Sequence, residues 1–440
     1  MEKLPFPLMK IFGKISKNLN NKSYNLKLNL INMNIGKYII IFYKLIKILL
    51  LSPLIILIII IYPIVRIKIF EIETRAIGHM SLPMEIFASE IKEKIHNCNR
   101  TIYLWFPNKK IANYFLFSKW KQKFIILPRV ILEPIYLFFK SKNIKFGNKF
   151  LIPYRHWNRN KSAEEFWQDK DLFDVLIKTK PNISFSKNEI EKGNKYLNNF
   201  GINLNDPYVI FFFRTPDYYL KNKSISDYKI NLRDQVSFNY YESINYLNSI
   251  NYKTFLLGEN YKINKKINNL IYYNKSKDKS DFLDVFLPFN CKFMVSSASG
   301  ISTIPIMNRR KVLYINFSEL YRHHHIDSKF IPFYIPKKFR SISSGTILTY
   351  SEVLKLNLSE FTFQEELKKT GFEIIENTKD EILDAIKEMD YFLKHGKSKE
   401  DDTDDIQEKF NETYFNKFHY KIKYTKICSS FLKKNRDLFY

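Results

Sequence analysis

A glycine and a histidine stand together in the turn from Arg75 to His79, between a predicted strand and a predicted helix. Gly78 lets the backbone approach a ligand, and the first amides of a helix are unpaired donors that attract anions. Histidine ionises near neutral pH, so His79 is a candidate base that takes a proton from a hydroxyl group. A structural role, in which His79 caps or stabilises the turn, fits the sequence equally well.

A second turn, VSSASGISTIPI from Val295 to Ile306, is rich in hydroxyl groups and also lies between a strand and a helix. Its amides and hydroxyls predict a diphosphate site at the positive end of that helix. The candidate donors are Ser297, Ser299, Gly300, Ser302 and Thr303. Its glycine spacing matches neither a P-loop nor a hydrolase nucleophile elbow. Ordinary N-capping by a serine is the structural alternative.

Charged residues at predicted strand and helix ends supply further candidates. Arg214 in FFFRTPDYY and Arg233 in LRDQ carry guanidinium groups, which match phosphate oxygens and would neutralise a departing diphosphate. A surface position is the alternative for both. Asp281 and Asp284 stand three residues apart at a helix start, as donor-site candidates. Capping and the helix dipole explain this pair without any ligand, and we favour that role.

Three adjacent histidines, His323 to His325, form the densest group of metal-binding side chains. Neighbouring side chains in regular structure do not converge on one ion, so we interpret them as a loop. Acidic residues in a metal-binding DxD arrangement are not evident in a suitable loop. The sequence therefore predicts a site that requires no metal and no other cofactor.

The composition is that of a folded, strongly basic chain. With 440 residues, 45% hydrophobic and 16% aromatic, it suits two domains and is not disordered overall. The net charge is +27, and residues 1–70 hold eleven Lys and Arg against one Glu. Such charge attracts nucleic acid, anionic lipid or a phosphorylated substrate without choosing among them. The odd, scattered cysteines predict a reducing compartment without disulfides. They are Cys98, Cys291 and Cys428.

Alternating strands and helices predict an α/β fold with two Rossmann-like lobes. We divide the chain into a basic N-terminal segment, a membrane anchor, an N-terminal lobe on the acceptor side, a C-terminal lobe on the donor side, and a final helix with its tail. The ranges are 1–37, 38–66, 67–200, 201–378 and 379–440. The strands expected in the second lobe begin at Tyr208, Lys253, Cys291 and Lys311.

An uncharged stretch of eighteen residues from Ile48 to Val65 just reaches the length that crosses a bilayer. It starts too late, and lacks the small-residue cleavage site, for a removable signal peptide. Pro53 and Pro63 interrupt its helix, so we expect a kinked helix in the inner leaflet, with lysines on anionic headgroups and the body in the cytoplasm. A buried strand or helix is the alternative.

Several motifs, in their order along the chain, resemble a family of bacterial glycosyltransferases that is itself largely assigned by similarity. The similarity spans residues 71–415 and rests on RAIGHMSLPMEIF, FFFRTPDYY, LRDQ, SDFLDVFLPFNCKFMVSSASG, PIMNRRKVLYINF, TKDEILDAIKEM and DDIQEKF. The resemblance implies a two-lobed GT-B-like fold and a nucleotide-sugar donor. The positions that it carries over are Gly78, His79, Arg214, Arg233, Asp281, Asp284, Ser299 and Gly300. The sequence differs from the family pattern at Met80, Thr215 and Pro216. These differences affect the expected acceptor contacts more than the expected donor site.

The resemblance implies an enzyme that moves a sugar from a nucleotide-sugar to a cell-envelope glycan or a lipid-linked acceptor. Arg214 and the Ser299 turn would stabilise the diphosphate, and His79 or a nearby carboxylate would deprotonate the acceptor. We expect Arg214→Ala to reduce turnover more than fold stability. Two alternatives stay open: transfer of a non-sugar group, and a non-enzymatic protein that binds anionic membrane or nucleic acid. Against nucleic acid, residues beyond 70 mix 60 basic with 43 acidic residues and contain no recognised binding motif.

Overall fold

The computed structural model describes most of the chain beyond residue 45. The described residues are 46–95, 99–152, 170–203, 206–215, 230–236, 238–258, 267–398 and 402–440. The basic segment 1–37, the start of the predicted anchor, Cys98 and Pro216 lie outside them. Within them, Cys291 and Cys428 are buried free thiols.

The first lobe, residues 46–152, is built on a short parallel sheet. Its strands are β1 (Arg66–Ile72), β2 (Thr101–Pro107) and β3 (Ile125–Ile126), in that spatial order. Its helices are α1 (residues 46–61), α2 (Ile77–Lys92), α3 (Tyr114–Lys121) and α4 (Arg129–Lys140). The predicted order of strand, helix and strand is confirmed, but the helix begins at Ile77, so Gly78 and His79 lie in its first turn and not in the turn before it. Trp105 and Trp120 are fully buried and anchor the core beneath α2.

A connection, residues 170–203, leads to the second lobe, residues 206–440. It holds two helices, α5 (Val175–Lys178) and α6 (Lys187–Asn198). The capping box of Ser186 and Glu189 fixes the start of α6. Tyr196 and Leu197 at its end pack into the core of the second lobe.

The second lobe contains a seven-stranded sheet in which all neighbouring strands are parallel. Its strands are β4 (Tyr208–Phe212), β5 (Lys253–Leu257), β6 (Leu270–Tyr272), β7 (Phe293–Ser296), β8 (Lys311–Phe317), β9 (Phe333–Pro336) and β12 (Lys426–Ile427). Their spatial order is β12-β9-β8-β7-β4-β5-β6. Helices cover both faces, which is why the central strands are almost continuously apolar. The four strands predicted from sequence are confirmed and lie side by side.

The remaining elements surround that sheet. A separate antiparallel pair joins β10 (Lys338–Ser341) to β11 (Phe372–Ile375). The helices are α7 (Tyr241–Ser249), α8 (Asp281–Asn290), α9 (Thr303–Met307), α10 (His323–Ile326), α11 (Tyr350–Lys355), α12 (Gln364–Lys369), α13 (Lys379–His395), α14 (Asp404–Phe418) and α15 (Ser429–Lys434). The C-terminal segment belongs to this lobe, because β12 pairs with β9 and α13 contributes Ile382, Ile386 and Met389 to its core.

The helix α1, which carries most of the predicted anchor, has two different faces. Ile55 and Ile58 are buried in a hydrophobic cluster that contains Leu132 and Ile135 of α4. Residues on the opposite side, such as Ile60, are exposed. Among the described residues, none of the helices combines the length and hydropathy that a membrane crossing requires. The alternative of a buried helix therefore holds for one stripe of α1, which is part of the first lobe.

The two faces of α1 allow a matched test. Ile58 is 3% exposed and Ile60 is 67% exposed, on the same helix. Ile58→Ala should lower the free energy of unfolding by about 2–5 kcal/mol, because it removes core contacts and leaves a cavity. Ile60→Ala should change it by less than about 0.5 kcal/mol. Urea unfolding of both variants measures the difference, and equal losses would contradict the assignment of the core stripe.

Candidate active site

The two lobes touch backbone to backbone where α2 begins. Gly78 lies in the first turn of α2, after the carboxyl end of β1, and Gly300 begins a short helical turn after β7. A Cβ atom on Gly78 would lie 2.6 Å from Cα of Gly300, and one on Gly300 would lie 3.0 Å from the amide nitrogen of Gly78. Side chains are therefore excluded at both positions. The starts of two helices, one from each lobe, converge at this point.

Hydroxyl groups tie the two helix starts together. The hydroxyl of Ser81 donates to the carbonyl of Gly78 at 2.9 Å and is paired with the hydroxyl of Thr303 in the other lobe. The Thr303 hydroxyl, which has a single hydrogen, donates either to Ser81 or to the carbonyl of Gly300, which lies 2.6 Å away. These contacts hold the first turns of the two helices against each other.

The serines of the second turn have different environments. Ser302 is buried, and its hydroxyl bonds the carbonyl of Ser299 and, at 2.8 Å, the hydroxyl of Tyr314. The hydroxyl of Ser299 is half-buried and lies 3.3 Å from that of Ser296. Neither Ser299 nor Ser302 makes a side-chain N-cap hydrogen bond, so the capping alternative is wrong for this turn. The Ser302 hydroxyl therefore makes its hydrogen bonds inside the second lobe, whereas the Ser299 hydroxyl lies next to Gly300 at the junction.

Arg214 lies beside the same turn but is held by a buried carboxylate. Its backbone amide donates to the hydroxyl of Ser297 at 2.9 Å. Its Nε atom lies 2.8 Å from Oδ1 of Asp234, which is fully buried. The Asp234 carboxylate also accepts from the amide of Asn231 at 2.8 Å. Arg214→Ala should therefore lower fold stability as well as turnover, because it would leave the buried carboxylate without its cation.

Three other candidates are engaged by neighbouring protein groups. Arg233 donates through Nε to Oδ1 of Asn231 at 3.3 Å, and its Nη1 atom lies 3.6 Å from Glu319. Oδ2 of Asp281 accepts from the amide of Tyr114 at 2.6 Å, so it caps α3 in the first lobe. The Asp284 carboxylate accepts from the hydroxyl of Tyr273 at 2.8 Å. The N-cap of α8 is Ser280, so the favoured role of capping that helix is wrong for both aspartates, although both stand in its first turn, as the dipole argument requires.

His79 lies in the first turn of α2 near a carboxylate that the sequence did not single out. Glu73, at the end of β1, accepts from Nε of Arg75 at 2.8 Å and from its Nη2 atom. Burial raises the pKa of Glu73, but the hydrogen bonds and charge of Arg75, with a smaller contribution from His79, lower it further below its ordinary value. Glu73 therefore stays ionised near neutral pH. The ionised carboxylate lies in the field of His79, but its lowered pKa makes Glu73 itself a weak base, so His79 is the better candidate for proton transfer.

A buried lysine supports the Arg214 loop and was missed, because it belongs to no motif. Nζ of Lys337 donates to the carbonyls of Leu232 and Asp234 at 2.9 and 2.8 Å and lies 3.8 Å from Glu376. Burial lowers the pKa of Lys337 to about 8, although Glu376 and Asp234 oppose the shift. A neutral amine still has two N–H groups, enough for both carbonyls. Its fixed position determines where residues 232–234 lie.

An ion pair between the lobes also went unrecognised, although Glu85 lies within the PMEIF segment. Nη2 of Arg309, just after α9, lies 2.9 Å from Oε1 of Glu85, which is fully buried in α2. Asn182 of the connection donates to the same carboxylate through its amide groups at 3.1 and 3.0 Å. Nε of Arg309 donates to the carbonyl of Thr179 at 3.2 Å. These contacts fix α2, the connection and α9 relative to one another.

The three histidines do not form a loop. They begin the short helix α10, and His323 and His324 are buried, with the His323 ring 5.0 Å from that of Tyr334. Burial lowers the pKa of both His323 and His324 to about 4, so each is neutral at physiological pH. The loop interpretation is wrong. Within the described ranges, no group of three metal-binding side chains could hold an ion.

Replacement of Arg214 tests the ion pair with Asp234. We expect Arg214→Ala to lower the free energy of unfolding by about 3–5 kcal/mol, because it leaves the buried carboxylate without its cation. Arg233→Ala, the matched control at a partly exposed arginine, should cost no more than about 1 kcal/mol. The double variant Arg214→Ala, Asp234→Ala should lose less than the sum of the single variants. Unchanged unfolding of Arg214→Ala would contradict the pairing.

The lowered pKa of Lys337 predicts a pH dependence of stability. The burial penalty is fully present below the folded-state pKa of about 8 and is relieved as pH rises toward the ordinary value of 10.5. Relative to Lys337→Met, the wild-type chain should therefore gain about 2–3 kcal/mol of unfolding free energy between about pH 7 and about pH 10. Urea titrations across this range measure it, with the exposed Lys355→Met as control. If the difference in unfolding free energy between wild type and Lys337→Met does not change with pH, the pKa of Lys337 is not lowered.

Comparison with solved structures gives low-similarity neighbours. ADP-heptose lps heptosyltransferase II of E. coli has 13% identity and a TM-score of 0.32, over 56% of this chain and 84% of that chain. A family 9 glycosyl transferase from Veillonella parvula DSM 2008 has 9% identity and a TM-score of 0.36, over 57% and 80%. E. coli heptosyltransferase WaaC with ADP has 10% identity and a TM-score of 0.30, over 57% and 87%. No family model and no curated protein matches this chain. All three TM-scores are below 0.5, so this likeness carries no argument.

Proposed function

We propose that this protein is a glycosyltransferase of the two-lobed, GT-B-like kind, which takes its sugar from a nucleotide-sugar. The observation that supports the proposal is the contact between Gly78 and Gly300. At this contact two helix starts, from two parallel α/β lobes, meet without side chains between them. Backbone amides at helix starts bind phosphate groups, and ligands of parallel sheets bind outside the carboxyl ends of the strands.

In the proposed reaction, the bond between the sugar and the diphosphate breaks, and negative charge grows on the diphosphate. The amides around Gly300 and the hydroxyl of Ser299 would donate to it, in positions that are set before the reaction begins. Arg214, fixed by Asp234, would add positive potential beside the same turn. His79 or Glu73 would take the proton from the acceptor hydroxyl. No step requires a metal ion.

The proposed acceptor is a glycan or lipid-linked molecule of the cell envelope, and the proposed location is the cytoplasmic face of the inner membrane. Nucleotide-sugars are cytoplasmic, so the donor site must face that compartment. The basic excess of the chain, +27 overall, suits anionic lipid and a phosphorylated donor. Transfer of a non-sugar group would use the same geometry, and analysis of the products would distinguish it.

A donor screen tests the proposal. Calorimetric titration with the uridine, guanosine, cytidine, thymidine and adenosine diphosphates should reveal one nucleotide that binds clearly more tightly than the others. ADP belongs in the panel, together with ADP-heptose, because two of the structural neighbours are named for these molecules. Mass spectrometry would then detect the transferred sugar. Absence of binding by every nucleotide would overturn the proposal.

Two serines in one turn provide a matched pair of variants. Ser299→Ala should weaken binding of the selected nucleotide by about tenfold, because one hydrogen bond to a charged group is lost, and should leave thermal unfolding nearly unchanged. Ser302→Ala should leave nucleotide binding nearly unchanged and lower the stability of the fold. It removes the bonds to Tyr314 and to the Ser299 carbonyl, at a cost of about 1–3 kcal/mol in stability. Equal nucleotide affinity in wild type and Ser299→Ala would remove Ser299 from the donor site.

A further inference from the structure

The outer face of α1 is a continuous aliphatic surface. Seven of its side chains are between 37% and 73% exposed: Ile46, Leu49, Leu50, Leu54, Ile56, Leu57 and Ile60. They recur at intervals of three or four residues, opposite the stripe of Ile55 and Ile58 that enters the core. We call these seven residues the outer stripe. A contiguous apolar surface of this kind is unusual on a soluble protein and indicates a binding surface.

An exposed aromatic ring with lysines on both sides lies beside the end of α1. The ring of Tyr62, just after α1, is 4.7 Å from that of Phe150, and Phe146 lies 6.2 Å from Phe150 on the other side. Phe146 is 44% exposed. The exposed lysines of the same segment are Lys142, Lys145 and Lys149. Aliphatic, aromatic and cationic groups are thus adjacent on the first lobe.

The later part of this lobe, residues 99–152, is strongly basic. Between residues 99 and 152 there are eleven Lys and Arg, and Glu133 is the only acidic residue. Glu133 is already paired with Arg129, one turn away on α4. At the start of β1, Arg66 and Lys68 add two more cations, and desolvation followed by the charge of Arg66 lowers the pKa of Lys68. The partner of this surface must therefore be anionic as well as apolar.

We propose that the outer stripe, together with Phe146 and its three lysines, docks the first lobe on an anionic lipid surface. In this arrangement α1 lies in the plane of the headgroups, with its core stripe on the protein and its outer stripe among the acyl chains. The lysines contact the lipid phosphates. The inference specifies the surface for the membrane location given under Proposed function, and it does not depend on sugar transfer.

Charge and chemistry argue against three other partners for this surface: a second copy of the chain, residues 1–45, and nucleic acid. A second copy would bring the same cationic surface into contact with itself, and like charges repel. Residues 1–45 contain eight lysines and a single acidic residue, Glu2, so they have the same sign. Nucleic acid is anionic but offers little to seven aliphatic side chains, because its binding sites are mostly polar and charged. A lipid bilayer supplies both the negative charge and the apolar phase.

Vesicle flotation with the full-length protein tests the proposal. The wild type should float with vesicles that contain phosphatidylglycerol, and much less with pure phosphatidylcholine. The triple variant Leu49→Ser, Leu57→Ser, Ile60→Ser should lower the affinity for the anionic vesicles at least tenfold. Lys142→Gln, Lys145→Gln, Lys149→Gln should lower it as well and reduce its dependence on salt. A matched control, Ile342→Ser, Leu356→Ser, Phe415→Ser, alters exposed apolar residues of the second lobe and should float like the wild type.

Four results would overturn the proposal. The first is full flotation of the outer-stripe variant, provided that its thermal unfolding matches the wild type, and the second is equal binding to neutral and anionic vesicles. The third is a dimer that the outer-stripe substitutions dissociate, measured by analytical ultracentrifugation. The fourth is binding of an RNA duplex that the same substitutions abolish. Nucleotide titration of each variant separates this proposal from the proposed function, because the donor site should be unaffected.

Discussion

The backbone contact between Gly78 and Gly300 is the constraint on which the arrangement of the two lobes depends. It requires the turn after β1 and the turn after β7 to meet within van der Waals distance. The hydroxyl pair of Ser81 and Thr303 lies one turn further along each helix. The Glu85 carboxylate follows in the next turn of α2, where Arg309 holds it. Three successive contacts along α2 thus align the first lobe with the second.

The buried Glu85 carboxyl group adds to this alignment. Burial raises its pKa, while Arg309 and Asn182 oppose the shift and supply its polar contacts from the second lobe and the connection. Hydrophobic packing adds to the same alignment, because Ile304 and Met307 of α9 join the core cluster that contains Met80 and Met84 of α2. The lobes therefore share a core at the junction.

A second chain of polar contacts connects the interior of the second lobe to the junction. Lys337 follows β9 and holds the carbonyl groups of residues 232 and 234. Asp234 holds the guanidinium of Arg214, and the amide of Arg214 binds the hydroxyl of Ser297 in the turn after β7. Each member of this chain is positioned by the previous one. A change at Lys337 should therefore reach the turn even though Lys337 is distant from it in sequence.

The sequence predicts strands and turns here better than it predicts contacts. Strand β4 and its neighbours are short apolar runs between turn residues, and such runs leave a local pattern. The turn around Gly300 was predicted because hydroxyl groups and a glycine stand together. The pair of Glu85 and Arg309, by contrast, joins residues that are far apart in the chain, and no periodicity records it. The same is true of Lys337, whose burial depends on β9 lying next to β8.

The helix α1 illustrates a further limit of prediction from the sequence. A run of apolar residues does not reveal which side of the helix enters the core. The structure separates the two stripes, because Ile55 and Ile58 are buried while the outer stripe is exposed. The end of α1 leads directly into β1, and the turn before Gly78 follows the other end of that strand. Seven residues of β1 span at most about 20 Å. If the outer stripe lies in lipid, the turn before Gly78 therefore lies within that reach of the lipid-bound helix, because β1 joins the two.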